Sequence, residues 1–555
     1  MISHFHRIRR WLATRDRDLL ILVAITLVGL LARWVFALGA ALPDDDGYVE
    51  CVKRILPGHY TYIPPMGQYE YRPAWLVPIA ASLRLLGWTA HGLVLYPLIT
   101  GAFWPLLTAL WLRRHLPPRS PAPVLCAVIL ACYPVLFVDS LMLVNEMPLI
   151  FWCLLCVLFF GSAYARIADS APTPRERVSW IVLALLAGSA FAAAYQVKVT
   201  AIPLLGIWLA AEFLLQVVRR GWPGRKSRAA LSLASAVFVL PSFGVQLFYL
   251  AKTGDFLDNI AGEMRFYELK VPESYLSGQF KLDQVLPTYL EQLFLPFGPD
   301  GFRVLLHGPW IWVVLALGVF AVVFWRRLPA AERTVAFVFL GSALGLFLFF
   351  EFWPFRLRPY YLPISFDVRP WRYTDVFAPL VAAFAAIILT LPGVFDRWIL
   401  GALRCCLLGA CFGVCGYCLV VRYHMFEDNT ADYRRAALES TTSLKSYCRL
   451  PQLIDGSGYW QFIDALGFPE RSQLRLTDTR FLDLRSSPPV CIWTGGARRE
   501  GLSPESAWSP DQMEVLGGKL VLIRTFAGLR RPWRAHVLQL WLFVPESTGT
   551  DETRP

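Results

Sequence analysis

Residues 19–48, LLILVAITLVGLLARWVFALGAALPDDDGY, decide how the chain is read. The run 19–38 is apolar and has the length, about 20 residues, that a helix needs to cross a bilayer core of ~30 Å. It lacks a small-residue cleavage site and leads straight into Asp44, Asp45 and Asp46, so it reads as a retained span and not as a signal peptide. Carboxylates at the edge of hydrocarbon are expensive and mark functional positions. One stretch therefore gives both the class of fold and a first candidate for chemistry.

Similar apolar runs recur at 91–112, 121–141, 147–164, 178–195, 199–218, 229–251, 309–325, 334–353, 376–392 and 398–422, which makes eleven expected spans. A shorter piece, Ala74 to Gly87, contains Pro78 and Arg84 and reads as an interfacial or re-entrant helix. The composition agrees: of 555 residues, 56% are hydrophobic and 17% charged, against roughly 25% charged in soluble domains. Mean hydropathy is +0.46. A disordered chain and an ordinary soluble enzyme are both excluded.

The net charge of +12 invites a nucleic-acid reading until the charges are located. Alternate connections hold Arg7, Arg9, Arg10, Arg15 and Arg17, then Arg113, Arg114 and Arg119, then Arg166, Arg175 and Arg177. The series continues with Arg219, Arg220, Arg225, Lys226 and Arg228, with Arg326, Arg327 and Arg333, and with Arg397 and Arg404. These segments carry 21 basic and six acidic residues, so the rest of the chain is slightly acidic. Basic loops face the cytoplasm. The N-terminus is expected inside, and residues 423–555 outside, on the periplasmic or extracellular face of a bacterial inner membrane. The charge is a topology signal, and no nucleic-acid partner is implied.

The expected fold is a polytopic α-helical membrane protein. Residues 1–422 form its transmembrane module, with outer loops 42–73, 252–308 and 354–375. Residues 423–555 form a small extracytoplasmic α/β domain, with a helix over Ala431 to Tyr447 and strands at Lys519 to Arg524 and His536 to Val544. Cys153 and Cys156, and likewise Cys415 and Cys418, have metal-like spacing. Inside apolar spans they read as small apolar residues. Cys448 and Cys491 share the outer tail, where an oxidising compartment permits them to pair.

Ionisable residues then converge on the outer face from five parts of the chain. Asp45 lies in the acidic run. Arg72 precedes Pro73, a residue suited to the first turn of a helix. Glu146 stands in Asn145-Glu146-Met147-Pro148, Lys198 in Gln196-Val197-Lys198-Val199-Thr200, and Arg372 in Arg369-Pro370-Trp371-Arg372-Tyr373. Any one of them reads equally well as a snorkelling side chain or a helix-end charge. Five on one face read as a site, with the carboxylates as a general base or cation ligands and the cations as anion partners. No phosphate-binding glycine loop is present, so an activated substrate dissolved in the membrane suits this site.

In order and topology, residues 15–425 resemble the GT-C superfamily of glycosyltransferases, near the protein O-mannosyltransferase and lipid A aminoarabinose transferase group. The segments that carry the resemblance are Asp45-Asp46-Gly47-Tyr48, Arg72-Pro73-Ala74-Trp75-Leu76, Asn145-Glu146-Met147-Pro148, Lys198-Val199-Thr200 and Arg372-Tyr373. The resemblance implies a mannosyltransferase-like, inverting transfer of sugar from a polyprenyl-phosphate donor to an acceptor hydroxyl on protein, lipid or polysaccharide. It makes Asp45 the general base, with Asp44 leaving the register open by one and Asp46 standing where relatives usually have Glu. It has Glu146 orient the acceptor or assist Asp45, and has Arg72, Lys198 and Arg372 stabilise the leaving phosphate. It requires no cofactor, although the acidic run has the chemistry to bind a divalent metal. The alternative is a carrier or flippase for a lipid-linked substrate, which also wants outer charges around a lipid groove.

Overall fold

The computed structural model describes residues 17–39, 45–56, 72–118, 120–169, 174–222, 225–268, 271, 277, 307–358, 361–363, 374–391, 398–443 and 450, and in the tail residue 489 and the strands. The chain divides into two compact units, one of residues 1–36, 60–78 and 95–422 and the other of residues 37–59, 79–94 and 423–555.

In order, the helices are α1 (Arg17–Val35), α2 (Asp45–Ile55), α3 (Pro73–Leu86), α4 (Ala90–His115), α5 (Ala122–Ala131), α6 (Pro134–Asp139), α7 (Glu146–Asp169) and α8 (Pro174–Val197). They continue with α9 (Ala201–Arg220), α10 (Arg225–Thr253), α11 (Asp258–Glu268), α12 (Trp310–Val323), α13 (Ala330–Phe352), α14 (Ala378–Leu389) and α15 (Trp398–Ser443). Among the described residues eight helices are long and apolar enough to cross a membrane, and the chain is an integral membrane protein. The other three expected spans are shorter helices, Ala122–Ala131, Trp310–Val323 and Thr374–Leu389.

The expected span at 121–141 is not one helix, and Pro134 is the reason. Tyr133 takes an extended conformation (φ −73°, ψ 119°) before Pro134 opens α6, as the crowding of a proline ring against the preceding residue demands. The last span also differs. It was expected to end at Arg422, with a separate helix from Ala431, yet α15 runs unbroken for 46 residues to Ser443. The intervening Tyr423 to Thr430 contain neither Gly nor Pro to stop a helix.

At the heart of the first unit lies α14, all of whose twelve residues are buried. A helix apolar on every side belongs in a core, and α5, α12 and α13 surround this one. By contrast α10 is peripheral, with 6% of its apolar stretch buried. One fully buried carboxylate, Glu212 of α9, ties several helices together at the arginine-rich end. It accepts hydrogen bonds from Trp111 Nε1 (2.8 Å) and Gln216 Nε2 (2.7 Å) and lies 2.7 Å from His115 Nε2. Arg114 is 3.9 Å away and donates to Ser162 Oγ of α7 at 2.8 Å. A buried charge persists only when paired and hydrogen-bonded in this way.

In the second unit, residues 423–555 supply the five-stranded sheet β2-β1-β3-β5-β4, from β1 (Gln452–Ile454), β2 (Ser472–Arg475), β3 (Val490–Arg498), β4 (Gly518–Ala527) and β5 (Ala535–Pro545). Strand β1 runs parallel to β2 and β3, and β5 is antiparallel to both β3 and β4. The two strands read from the sequence are β4 and β5. Cys491 is buried in β3, while Cys448 lies outside the described residues.

Helices α8 and α10 cross closely at Gly188, where an added Cβ would stand 2.1 Å from the carbonyl oxygen of Phe238. Gly188→Ala is expected to lower stability by about 1–3 kcal/mol through overpacking. Gly244→Ala, which meets open space, should leave it unchanged or raise it slightly. Thermal unfolding in detergent measures both.

Candidate active site

Residues 140–145 connect α6 to α7, and distant parts of the chain converge on this turn and the residues flanking it. Asp139, wholly buried, pairs with the equally buried Arg422 of α15. Arg33, near the end of α1, donates from Nε to Ser140 Oγ at 2.7 Å and stacks over Phe137 at 4.8 Å. Glu146, the first residue of α7, accepts from Lys198 Nζ at 2.6 Å, with both side chains buried. From α4, Trp104 donates to the carbonyl of Met147 at 2.9 Å. Gly101 lets α4 approach so closely that a Cβ there would lie 2.6 Å from Ser140 Cβ.

A third carboxylate joins the pair. Asp375 is fully buried in the short 3-10 turn Thr374–Phe377 that precedes α14. It lies within electrostatic reach of Asp139, Glu146 and Arg422. Neither Asp375 oxygen meets a hydrogen-bond donor among the described residues, and Glu146 Oε2 meets none either. Buried acceptors of this kind are costly. An incoming donor, a hydroxyl or a cation, would satisfy them.

Of the residues expected from the sequence, the structure brings Glu146 and Lys198 into direct contact. Arg72 is buried immediately before α3, where its carbonyl accepts from the amides of Trp75 and Leu76. Trp75 packs on Tyr96 with ring centroids 5.9 Å apart, and Tyr96 accepts from Trp152 of α7 at 2.8 Å. Arg72 is thus linked to the helix that Glu146 opens. Asp45 and Asp46 begin α2, in the second unit; Arg372 and Asp44 lie outside the described residues. Cys153 and Cys156 are buried in α7, and among the described residues no group of three or more His, Cys, Asp or Glu side chains is arranged to hold a metal.

The sequence reading gave no role to Asp139, Asp375, Arg422 or Arg33. Each is ionisable and lies inside or at the edge of an apolar run, which is the signal that found the others. What hid them is separation: Arg422 and Asp139 are 283 positions apart.

Removing one partner of a buried ion pair strands the other, at a cost of about 3–5 kcal/mol. Arg422→Met is expected to lose that much. The double variant Asp139→Asn, Arg422→Met should regain part of it, and thermal unfolding of the wild type and these two variants checks this.

No known family profile matches the chain, and no curated protein matches its sequence significantly. Solved structures do. ArnT from Cupriavidus metallidurans bound to undecaprenyl phosphate aligns with a TM-score of 0.52 at 14% identity, over 94% of this chain and 97% of its own. The apo state of that protein gives 0.52 and 14%, over 93% and 97%. The apo oligosaccharyltransferase of Archaeoglobus fulgidus aligns with a TM-score of 0.48 at 15% identity over 82% of this chain, which spans 64% of that enzyme's length. Overlap with ArnT along nearly the whole of both chains gives the architecture: this chain shares the fold of ArnT.

Proposed function

We propose that this protein is an integral-membrane glycosyltransferase that moves a sugar from a polyprenyl-phosphate donor to an acceptor hydroxyl, with inversion. The observation that carries the reading is the buried cluster at residues 139–146, in a fold shared with a protein whose structure holds undecaprenyl phosphate. Water-soluble activated sugars do not explain charges set among apolar helices. A lipid phosphate does, because its head needs cations and its tail needs hydrocarbon.

In this reading the acceptor O–H attacks the anomeric carbon and passes its proton to Asp45. The bond from that carbon to the phosphate oxygen breaks, and the polyprenyl phosphate departs with the electron pair. Negative charge grows on the leaving phosphate, and cations already in place stabilise it without reorganising. Arg72, Lys198 and Arg372 take that role. Lys198 is held ready by Glu146, and the carboxylate oxygen of Glu146 without a donor suits it to orient the acceptor. Asp46 supports Asp45. The basic connections set the orientation, with the N-terminus in the cytoplasm and residues 423–555 on the periplasmic or extracellular side.

Purified wild type and Asp45→Asn, supplied with polyprenyl-phosphate sugars and envelope acceptors, test the proposal through donor consumption. Loss of a general base is expected to lower turnover about 100- to 10,000-fold while donor binding persists. A wild type that binds such donors but never consumes one would favour a carrier. Undiminished turnover by Asp45→Asn would remove Asp45 from the role of base.

A further inference from the structure

At the opposite, arginine-rich end of the first unit, a groove runs between α9 and α13. Its volume is about 720 Å³. Ile207, Ala210 and Leu214 form one wall, and Phe337, Val338 and Gly341 the other. The polar side chains within it are occupied internally: Thr334 and Ser342 donate to carbonyls of their own helix. Beyond the groove's last lining residue on α13, Ser342, a Cβ on Gly345 would touch Ile207 of α9 at 3.9 Å. At its mouth stands Arg333, its guanidinium 5.0 Å above the Trp325 ring. One of its N–H groups donates to the Trp325 carbonyl at 3.1 Å. The rest of the guanidinium meets no acceptor among the described residues.

We infer that this groove binds one anionic phospholipid, with an acyl chain along α9 and α13 and the phosphate at Arg333. Length selects the occupant. Arg333 to Ser342, the stretch of α13 that lines it, covers about 14 Å of helix at ~1.5 Å per residue, close to half of the ~30 Å hydrocarbon core. That is the depth of a single leaflet, which an ordinary acyl chain fills and a long polyprenyl chain overruns. Charge selects the head group. Arg333 forms a fork matched to phosphate oxygens, and it sits in the first turn of α13, whose amide groups also favour an anion. Arg326, exposed in the preceding turn, adds to the field, while Glu332 offsets part of it. Basic recesses between membrane helices are known to hold anionic head groups in this way. Aromatic Trp325, 48% exposed, lies where an interfacial ring belongs. In the proposed orientation this is the cytoplasmic leaflet, away from the cluster at residues 139–146, and the inference does not depend on what reaction occurs there.

Gly341 makes the test specific, because it lines the groove and a Cβ added there meets nothing within 4 Å, so a side chain branching from it extends into the groove. The full-length protein in nonionic detergent, incubated with phosphatidylglycerol or phosphatidylethanolamine of matched chains, is examined by native mass spectrometry. The wild type is expected to retain one phosphatidylglycerol, preferred roughly fivefold or more over phosphatidylethanolamine, as one basic side chain facing an anionic lipid would give. Gly341→Leu should lose the bound lipid at unchanged thermal stability. Arg333→Ala should lose the preference, and Arg333→Lys should keep part of it. Equal retention of the two lipids by the wild type, or undiminished retention by Gly341→Leu, would overturn the inference. So would displacement of phosphatidylglycerol by undecaprenyl phosphate at this groove.

Discussion

Charge buried among apolar helices must be answered by opposite charge, and the turn at residues 139–147 is where this protein meets that constraint. Asp139 and Glu146 lie seven residues apart across a connection too short and too buried for water to solvate them. Their cations come from far away, Arg422 at the end of the last span and Lys198 between α8 and α9. Arg33 from α1 adds a hydrogen bond to Ser140 between them. Five helices are thus held in register by one turn: α1, α4, α7, α9 and α15. Because breaking any such pair strands a charge in a poor solvent, the same groups that could serve chemistry also fix the frame that positions them.

The two ends of the first unit use this currency differently. At the arginine-rich end, Glu212 is saturated by Trp111, His115 and Gln216, which leaves it little capacity for a ligand. At the other end, both oxygens of Asp375 and one of Glu146 are buried without donors among the described residues. A saturated network stabilises; an unsaturated one is poised to bind. This contrast, more than the number of charges, separates a structural cluster from a candidate active site.

Much of the fold was legible because hydrocarbon imposes length and apolarity on every span. The positions of all eleven runs correspond to helices, and 518–527 and 535–545 are strands, as their β-branched and aromatic content suggests. Hydropathy alone does not register backbone chemistry, however, so Pro134 splits a run that looked continuous, and the polar continuation of α15 read as part of the outer domain. For the site, Glu146 and Lys198 were legible as charges misplaced at the membrane edge. That they pair with each other was not, since opposite roles had been given to them and no local pattern joins positions 52 apart. Asp375 and Arg422 were hidden for the same reason: each looks like a boundary charge until the packing of α14 and α15 brings it inward.

The central claim is that the cations around residues 139–146 receive a lipid phosphate, and binding of undecaprenyl phosphate against undecaprenol tests it most directly. The wild type should bind the phosphate at least about tenfold more tightly, a difference of ~1.4 kcal/mol. The double variant Glu146→Gln, Lys198→Met, which removes one charge of each sign and leaves Arg72 and Arg372, should lose a measurable part of that preference. Equal affinity of the wild type for both lipids would contradict the account.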